Sequence, residues 1–238
     1  MSGRAIAVLL CGMAIVAVAC KTAQPGPAKA PVAAVAPVAP TEDVAAKNFL
    51  QLPDPQAGSL IKPEHFVRDW LVLGPFTYET GKVGGDEDQG SAKIAFVKDE
   101  ANLIPKEGAE VEGKKWVRYK IAEDPTPDKI NLDAFYNGID YCAAYLGCHV
   151  YAPRDLDNLH LLIGSDDYDT VWINGKQVHF YGERRRAPMA DEDTVKGVSL
   201  KKGKNVVVVK LVDVVIQWAL YFRFTDDKGL PMRVADKP

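Results

Sequence analysis

An all-β, antiparallel sandwich is the fold class this sequence predicts, and three observations predict it. Short runs able to extend recur with a turn signal about every ten residues. Within those runs apolar and polar residues alternate; in residues 217–224, Trp218, Leu220, Phe222 and Phe224 fall on one face and Gln217, Ala219, Tyr221 and Arg223 on the other. Helical periodicity is nearly absent, and the gaps between runs are too short for the crossover helices of a parallel sheet.

The N-terminal part stands apart from that body. Arg4 precedes an apolar run, residues 5–19, too short to span a bilayer comfortably. The run ends in Ala17-Val18-Ala19-Cys20, which resembles a bacterial lipobox. That resemblance implies a signal peptide at residues 1–19, cleavage before Cys20 and lipid on its thiol and new amino group. Lys21 follows; by resemblance to enterobacterial lipoprotein sorting it implies an outer-membrane protein facing the periplasm or the cell surface. Residues 20–57 then read as a lipid-anchored Pro/Ala-rich linker, disordered and partly polyproline. Residues 41–49 offer a short helix with Thr41 as N-cap. The folded domain is expected at 58–238.

In order, residues 65–73 read as a first strand stopped by Gly74-Pro75-Phe76. Residues 81–90, glycine-rich and acidic, read as a surface loop, and 92–103 as a helical turn or two. Residues 115–121 form a strand with Val117, Tyr119 and Ile121 on one face and Trp116, Arg118 and Lys120 on the other. Pro125 and Pro127 break the chain. Strands follow at 141–151 and 159–164. Asn174-Gly175 then joins residues 170–173 to 177–181, and because both residue types accept positive φ this is a strong hairpin signal. Residues 194–200 precede a turn at 202–205. Residues 206–212 are almost wholly apolar, so both faces are expected to be covered. After 217–224, a turn at 226–229 leads to a short last strand.

Of four cysteines, Cys11 leaves with the signal and Cys20 carries the anchor. Cys142 and Cys148 share one strand, and six strand residues span roughly 20 Å, whereas a disulfide needs Cα atoms within about 7 Å. Two buried free thiols are expected, unless the strand bends sharply at Gly147.

At this point the residues carry a family likeness. Trp70-Leu71-Val72-Leu73-Gly74-Pro75-Phe76, Ser165-Asp166-Asp167, Val171-Trp172-Ile173-Asn174-Gly175-Lys176 and Leu200-Lys201-Lys202-Gly203-Lys204-Asn205 resemble galactose-binding-like β-sandwich domains. The same set resembles the protective-antigen-type glycan-binding domain and the sugar-binding domain of large β-glycosidases. The likeness runs from about Phe66 to Met232 and implies a jelly-roll whose loops bind glycans, sometimes with calcium. In protective-antigen-type relatives an Asp pair at the place of Asp166-Asp167 ligates the ion. Here Tyr168 follows, where relatives often carry glycine.

Each candidate site also has a plainer reading. Asp166, Asp167 and Asp169 form a candidate calcium site, but calcium takes six to eight oxygens, so Asp191 to Asp193 or Asp86 to Asp88 would have to close in; turn-capping aspartates are the plainer reading. In extended chain Asp167 and Asp169 share a face and Asp166 points away. Tyr168, Tyr181, Arg184, Arg185 and Arg186 are candidate ligand contacts, since arginine forks suit hydroxyls and carboxylates; alternatively the arginines neutralise Asp191, Glu192 and Asp193 within their own loop. Trp116 is either a sugar-stacking platform or a half-buried surface tryptophan. Lys210, the one charge in residues 206–212, is expected either to pair with the Asp166-Asp167 loop as a structural ion pair or to lie at a sheet edge. The four histidines show no zinc spacing, and no nucleophile with an adjacent base stands out.

With a formal net charge of −3, the chain offers no strong electrostatic case for nucleic acid. The expected function is a lipid-anchored, non-catalytic envelope module that binds glycan or envelope polysaccharide; the alternative is a structural or accessory lipoprotein that docks another envelope protein. Cells expressing the chain are expected to incorporate labelled palmitate into it, and Cys20→Ala to abolish the label. Labelling unchanged by that substitution would remove the anchor.

Overall fold

The computed structural model describes residues 46–56, 60–80, 86–121 and 128–237. The signal segment, Cys20, most of the linker with Thr41, residues 81–85, and Pro125 and Pro127 lie outside the described residues. Within them the fold is all-β. In chain order the elements are β1 (Lys47–Gln51), β2 (Leu71–Thr77), β3 (Glu110–Val111), β4 (Lys114–Arg118), β5 (Ile130–Asn131), a short helix α1 (Leu132–Tyr136), β6 (Cys142–Ala152), β7 (Leu156–Asp166), β8 (Tyr168–Ile173), β9 (Lys176–Tyr181), β10 (Asp193–Leu200), β11 (Gly203–Asp213), β12 (Ala219–Thr225) and β13 (Arg233–Ala235).

These strands build two sheets over a shared core. The larger runs β3-β4-β2-β6-β11-β8-β9, and the smaller runs β10-β7-β12-β5. Strand β11 is hydrogen-bonded to β6 from Gly203↔Ala152 to Asp213↔Cys142 and to β8 from Val207↔Ile173 to Val212↔Tyr168. It is therefore a central strand, which is why residues 206–212 carry apolar side chains on both faces. Alternation sorts those faces: Leu211 lies opposite Asp169 and Ala144, while Lys210 lies opposite Thr170 and Tyr145. In the small sheet Trp218, Leu220, Phe222 and Phe224 are all buried, as their spacing predicts, and Trp70 meets Phe222 edge-on at 5.4 Å. Cys142 and Cys148, both in β6, are buried and unpaired.

The Asn174-Gly175 turn has φ of 51° and 79°, the positive pair that a two-residue hairpin requires. It is tied to the next turn by side chains. Asn174 donates its amide to Asn205 Oδ1 at 2.9 Å and accepts from the Val206 N–H at 2.9 Å. Buried Asn205 in turn donates to Lys201 and Gly203 carbonyls and accepts from the Lys201 N–H. Both asparagines of the likeness thus hold turns together.

Several local expectations are corrected. Residues 41–49 were expected to offer a helix and the linker to reach residue 57, but Lys47–Gln51 is a strand. It pairs in parallel with β6 and antiparallel with β13, burying Asn48 and Leu50 on one side, so the fold is under way at Ala46, before the expected start at 58. The strand expected at 65–73 begins at Leu71, after a 3₁₀ turn at Pro63–His65, and does not stop at Gly74-Pro75. Between Leu73↔Tyr145 and Phe76↔Ala143 the register shifts by one residue, a bulge that takes up the proline lacking an N–H. In place of a plain loop, Asp86–Lys93 is a 3₁₀ segment.

The largest correction concerns the face of the large sheet that carries Lys210. Residues 94–108 lie across it. Lys210 Nζ is 3.0 Å from Glu100 Oε1 and donates to the Ile94 carbonyl at 2.8 Å. Tyr145, its cross-strand neighbour, donates to the same Glu100 oxygen at 2.5 Å. The ion pair exists, but its partner is Glu100 and not the Asp166-Asp167 loop, because Asp169 and Asp213 lie on the opposite face of the alternation. The same cover buries Trp116 completely. Its ring packs where a side chain at Gly147 would stand, next to Pro105, so it offers no face to a sugar.

One glycine fixes where the arginine-bearing loop lies. A Cβ on Gly164 in β7 would stand 1.7 Å from the Met189 carbonyl oxygen, so the backbone of residues 182–192 rests directly on the small sheet there. Gly164→Ala is expected to lower the urea unfolding free energy by roughly 1–3 kcal/mol. Unaltered stability would mean that this loop does not pack on β7.

Candidate functional site

The chain crosses from the small sheet to the large one at Asp166-Asp167, between the end of β7 and the start of β8. Asp167 is clamped at that corner. Its N–H donates to the Val212 carbonyl at 2.9 Å, and its carboxylate accepts from the Val214 N–H at 2.8 Å. This anchors it to the end of β11, where Asp213 is the last residue. Asp166, Asp167 and Asp213 each bring one carboxylate oxygen to a common place, all within 4.8 Å of one another, and all three residues are buried. Asp213 is 1% exposed, and neither of its carboxylate oxygens has a hydrogen-bond donor among the described residues. Sequence reasoning missed Asp213, which reads there as the polar end of an apolar strand.

A cleft of about 250 Å³ opens over Asp166 and Asp167, walled by Arg185, Val215, Ile216 and Gln217. Arg185 Nε is 3.6 Å from Asp167 Oδ1, and Nη2 donates to the Val215 carbonyl at 3.4 Å. Ile216 is 74% exposed and sits at φ 84°, a backbone conformation costly for a β-branched residue. Such outliers gather at ligand sites.

Burial is the first cause that keeps protons on this cluster. It raises the Asp166–Asp167 pair; for Asp166 the charge of Asp167 adds to it, while for Asp167 the Val214 N–H and Arg185 oppose it. Asp213 is pushed up to about 8, by burial first and then by the charges of Asp167, Asp140 and Asp133. The floor of the cleft is thus an acidic site short of positive charge.

Asp169 does not join this group. One residue into β8 from the corner, it points to the sheet edges, where β9 and β10 lie. Its Oδ2 accepts from Ser165 Oγ at 2.5 Å and lies 3.3 Å from Arg186 Nη2. Its Oδ1 is 3.5 Å from His179 Nε2, which is 3.4 Å from Asp193 Oδ2. Burial raises the Asp169 carboxyl, against the opposing charge of His179. The expected calcium trio of Asp166, Asp167 and Asp169 is therefore corrected: the sheet-to-sheet crossing brings Asp166 beside Asp167 and sends Asp169 elsewhere.

The remaining expected contacts separate in the same way. Tyr168 is fully buried among Ala143, Val212 and Val214, so it is a core residue and not a ligand contact. Arg186 is held inside the loop, 2.7 Å from Asp193 Oδ2 and 3.5 Å from Glu192 Oε2, with its guanidinium 3.5 Å above the Tyr181 ring. Tyr181 therefore supports an arginine. Asp191 takes a bidentate pair with buried Arg223 at 2.6 and 2.5 Å, so residues 191–193 do not close the Asp166 group. The side chains of Asp86 to Asp88 lie outside the described ones. Arg184 is exposed; Arg185 and Arg186 both line the cleft, and of the two it is Arg185 whose guanidinium pairs with Asp167.

No protein-family profile matches the chain, and no curated protein does. Among solved structures a partial similarity is found to the GH31 alpha-xylosidase from Xanthomonas citri, with 11% identity and a TM-score of 0.24. It covers 51% of this chain and 15% of that one, and likeness at this level carries no argument for fold or activity.

The cluster dictates a pH trend. Its folded-state pKa values lie above those of the unfolded chain, so the native state holds more protons than the unfolded state once pH exceeds about 4. In chelator-treated protein this contribution to stability is fully present below that pH and is lost as pH rises through about 8 for Asp213 and about 9 for Asp166. Asp213→Asn is expected to flatten the fall in thermal stability relative to wild type. Parallel profiles for the two proteins would show that Asp213 titrates normally.

Proposed function

We propose that the chain is a lipid-anchored cell-envelope protein whose β-sandwich is a non-catalytic module binding a glycan or envelope polysaccharide at the Asp166–Arg185 cleft. The observation that carries this reading is the convergence of three buried carboxylates, one without a hydrogen-bond donor among the described residues, beneath an open cleft. Oxygen-only donors of this charge suit a calcium ion, with Asp166, Asp167 and Asp213 as three ligands and the open cleft admitting water and ligand hydroxyls for the rest of the six to eight oxygens. A bound calcium would neutralise the floor and offer coordination to a pair of sugar hydroxyls. Arg185 stands at the side of the same cleft as a fork for hydroxyl or carboxylate oxygens. Ile216 gives its rim an apolar surface for the carbon face of a ring.

The envelope address is supported by Ala17-Val18-Ala19-Cys20 and the Pro/Ala-rich stretch after it.

Calorimetry on chelator-treated protein is expected to show uptake of one calcium per chain, lost in Asp166→Asn/Asp167→Asn. With calcium present, a glycan array or a peptidoglycan pull-down is expected to retain the chain, and Arg185→Ala to weaken retention roughly tenfold, as for a lost charged hydrogen bond. Calcium uptake with both binding assays blank would refute the glycan reading. Absence of calcium uptake would refute the metal.

A further inference from the structure

We infer a second metal site, chemically distinct from the acidic cleft, at Asp169, His179 and Asp193, suited to a zinc-class ion. The three residues come from three strands: Asp169 from β8, His179 from the edge strand β9, and Asp193 from the start of the edge strand β10. Each presents one atom to a common point, and all these atoms lie within 4.8 Å of one another.

The spacing suits ligation. His179 Nε2 stands 3.5 Å from Asp169 Oδ1 and 3.4 Å from Asp193 Oδ2. A tetrahedral ion with bonds of about 2.0–2.1 Å has ligand–ligand edges of about 3.3–3.4 Å. Asp169 is 1% exposed, and its Oδ1 is buried with no hydrogen-bond donor among the described residues, 3.5 Å from the imidazole. His179 Nε2 is likewise buried without a hydrogen-bond partner among the described residues. A carboxylate oxygen and an imidazole nitrogen thus face each other at 3.5 Å with no hydrogen bond to either atom among the described residues, which goes beyond the mere presence of acids.

The surroundings are those of a supported ligand set. Ser165 Oγ and Arg186 Nη2 hold Asp169 by Oδ2 and leave Oδ1 free, the outer-shell arrangement that orients ligating carboxylates. Arg186 also meets Asp193 Oδ2, and it has Glu192 and the Tyr181 ring as further partners when that oxygen turns to a cation. His179 and Asp193 are partly exposed at the sheet edge, with the three ligand atoms themselves buried beneath it. One imidazole nitrogen with two carboxylates selects zinc-class ions over calcium, which the all-oxygen Asp166 cluster prefers. The competing arrangement is a protonated His179 bridging the two carboxylates without a metal.

The test uses the purified full-length chain after dialysis against chelator, titrated with zinc alone and, separately, with cobalt(II). The expected result is zinc uptake that falls at least tenfold in His179→Ala and in Asp193→Asn, both checked for native circular dichroism. His160→Ala, a histidine of β7 outside the cluster, is expected to bind zinc as wild type does. Cobalt(II) on the wild-type chain is expected to give the intense visible bands of a tetrahedral site, a readout that needs no variant to fold. Absent zinc uptake by the folded wild-type chain, uptake that survives His179→Ala, or only the weak bands of octahedral cobalt would overturn the site and leave the bridging imidazolium.

Discussion

The register of β11 is the constraint on which the rest depends. Hydrogen-bonded to β6 along its whole length and to β8 over six positions, it cannot slip by one residue without turning every side chain to the wrong face. That register sends Lys210 to the face covered by residues 94–108, where Glu100 and the Ile94 carbonyl receive its ammonium. It also sends Asp213 to the other face, where Asp166 and Asp167 arrive from the crossing between sheets. A buried ammonium in an apolar strand is costly unless paired, so the covering segment is required by the strand itself.

Charge around the β9–β10 connection is distributed with similar economy. Asp191 is matched by Arg223, and Glu192 and Asp193 by Arg186, which also braces Asp169. These pairings do not reach the Asp166–Asp167–Asp213 floor, where Arg185 stands 3.6 Å from Asp167. The proposed calcium ion would supply the positive charge that this group lacks among the described residues. Proximity of the exposed, strained Ile216 gives the same cleft an apolar rim.

Much of this was legible in the sequence where the cause is local. The hairpin rests on two residues that accept positive φ, the burial of β12 on strict alternation, and the free thiols on the length of one strand. What was not legible depends on partners far along the chain. Lys210 announced a need for an opposite charge, but only the register and the covering segment show that Glu100 supplies it. Trp116 sat among charged neighbours and read as a surface residue until the same segment closed over it. Lys47–Gln51 puts polar Asn48 on its buried side and so lacks a clean apolar alternation, and it becomes a strand by pairing with β6 and β13. His179 is ten residues from Asp169 in a hairpin, and Asp193 belongs to the other sheet, so no linear spacing could join them. Asp166 and Asp169 were placed by extended-chain parity, which fails where the chain leaves one sheet for the other.

The central claim is that β11 delivers an aspartate into a buried cluster starved of positive charge. Carbon-13 NMR of the aspartate carboxyl groups in chelator-treated protein measures this directly. The account predicts that Asp213 titrates at about 8 and drops to the ordinary carboxylate range when calcium is added. An Asp213 that titrates near about 4 with or without calcium would contradict it.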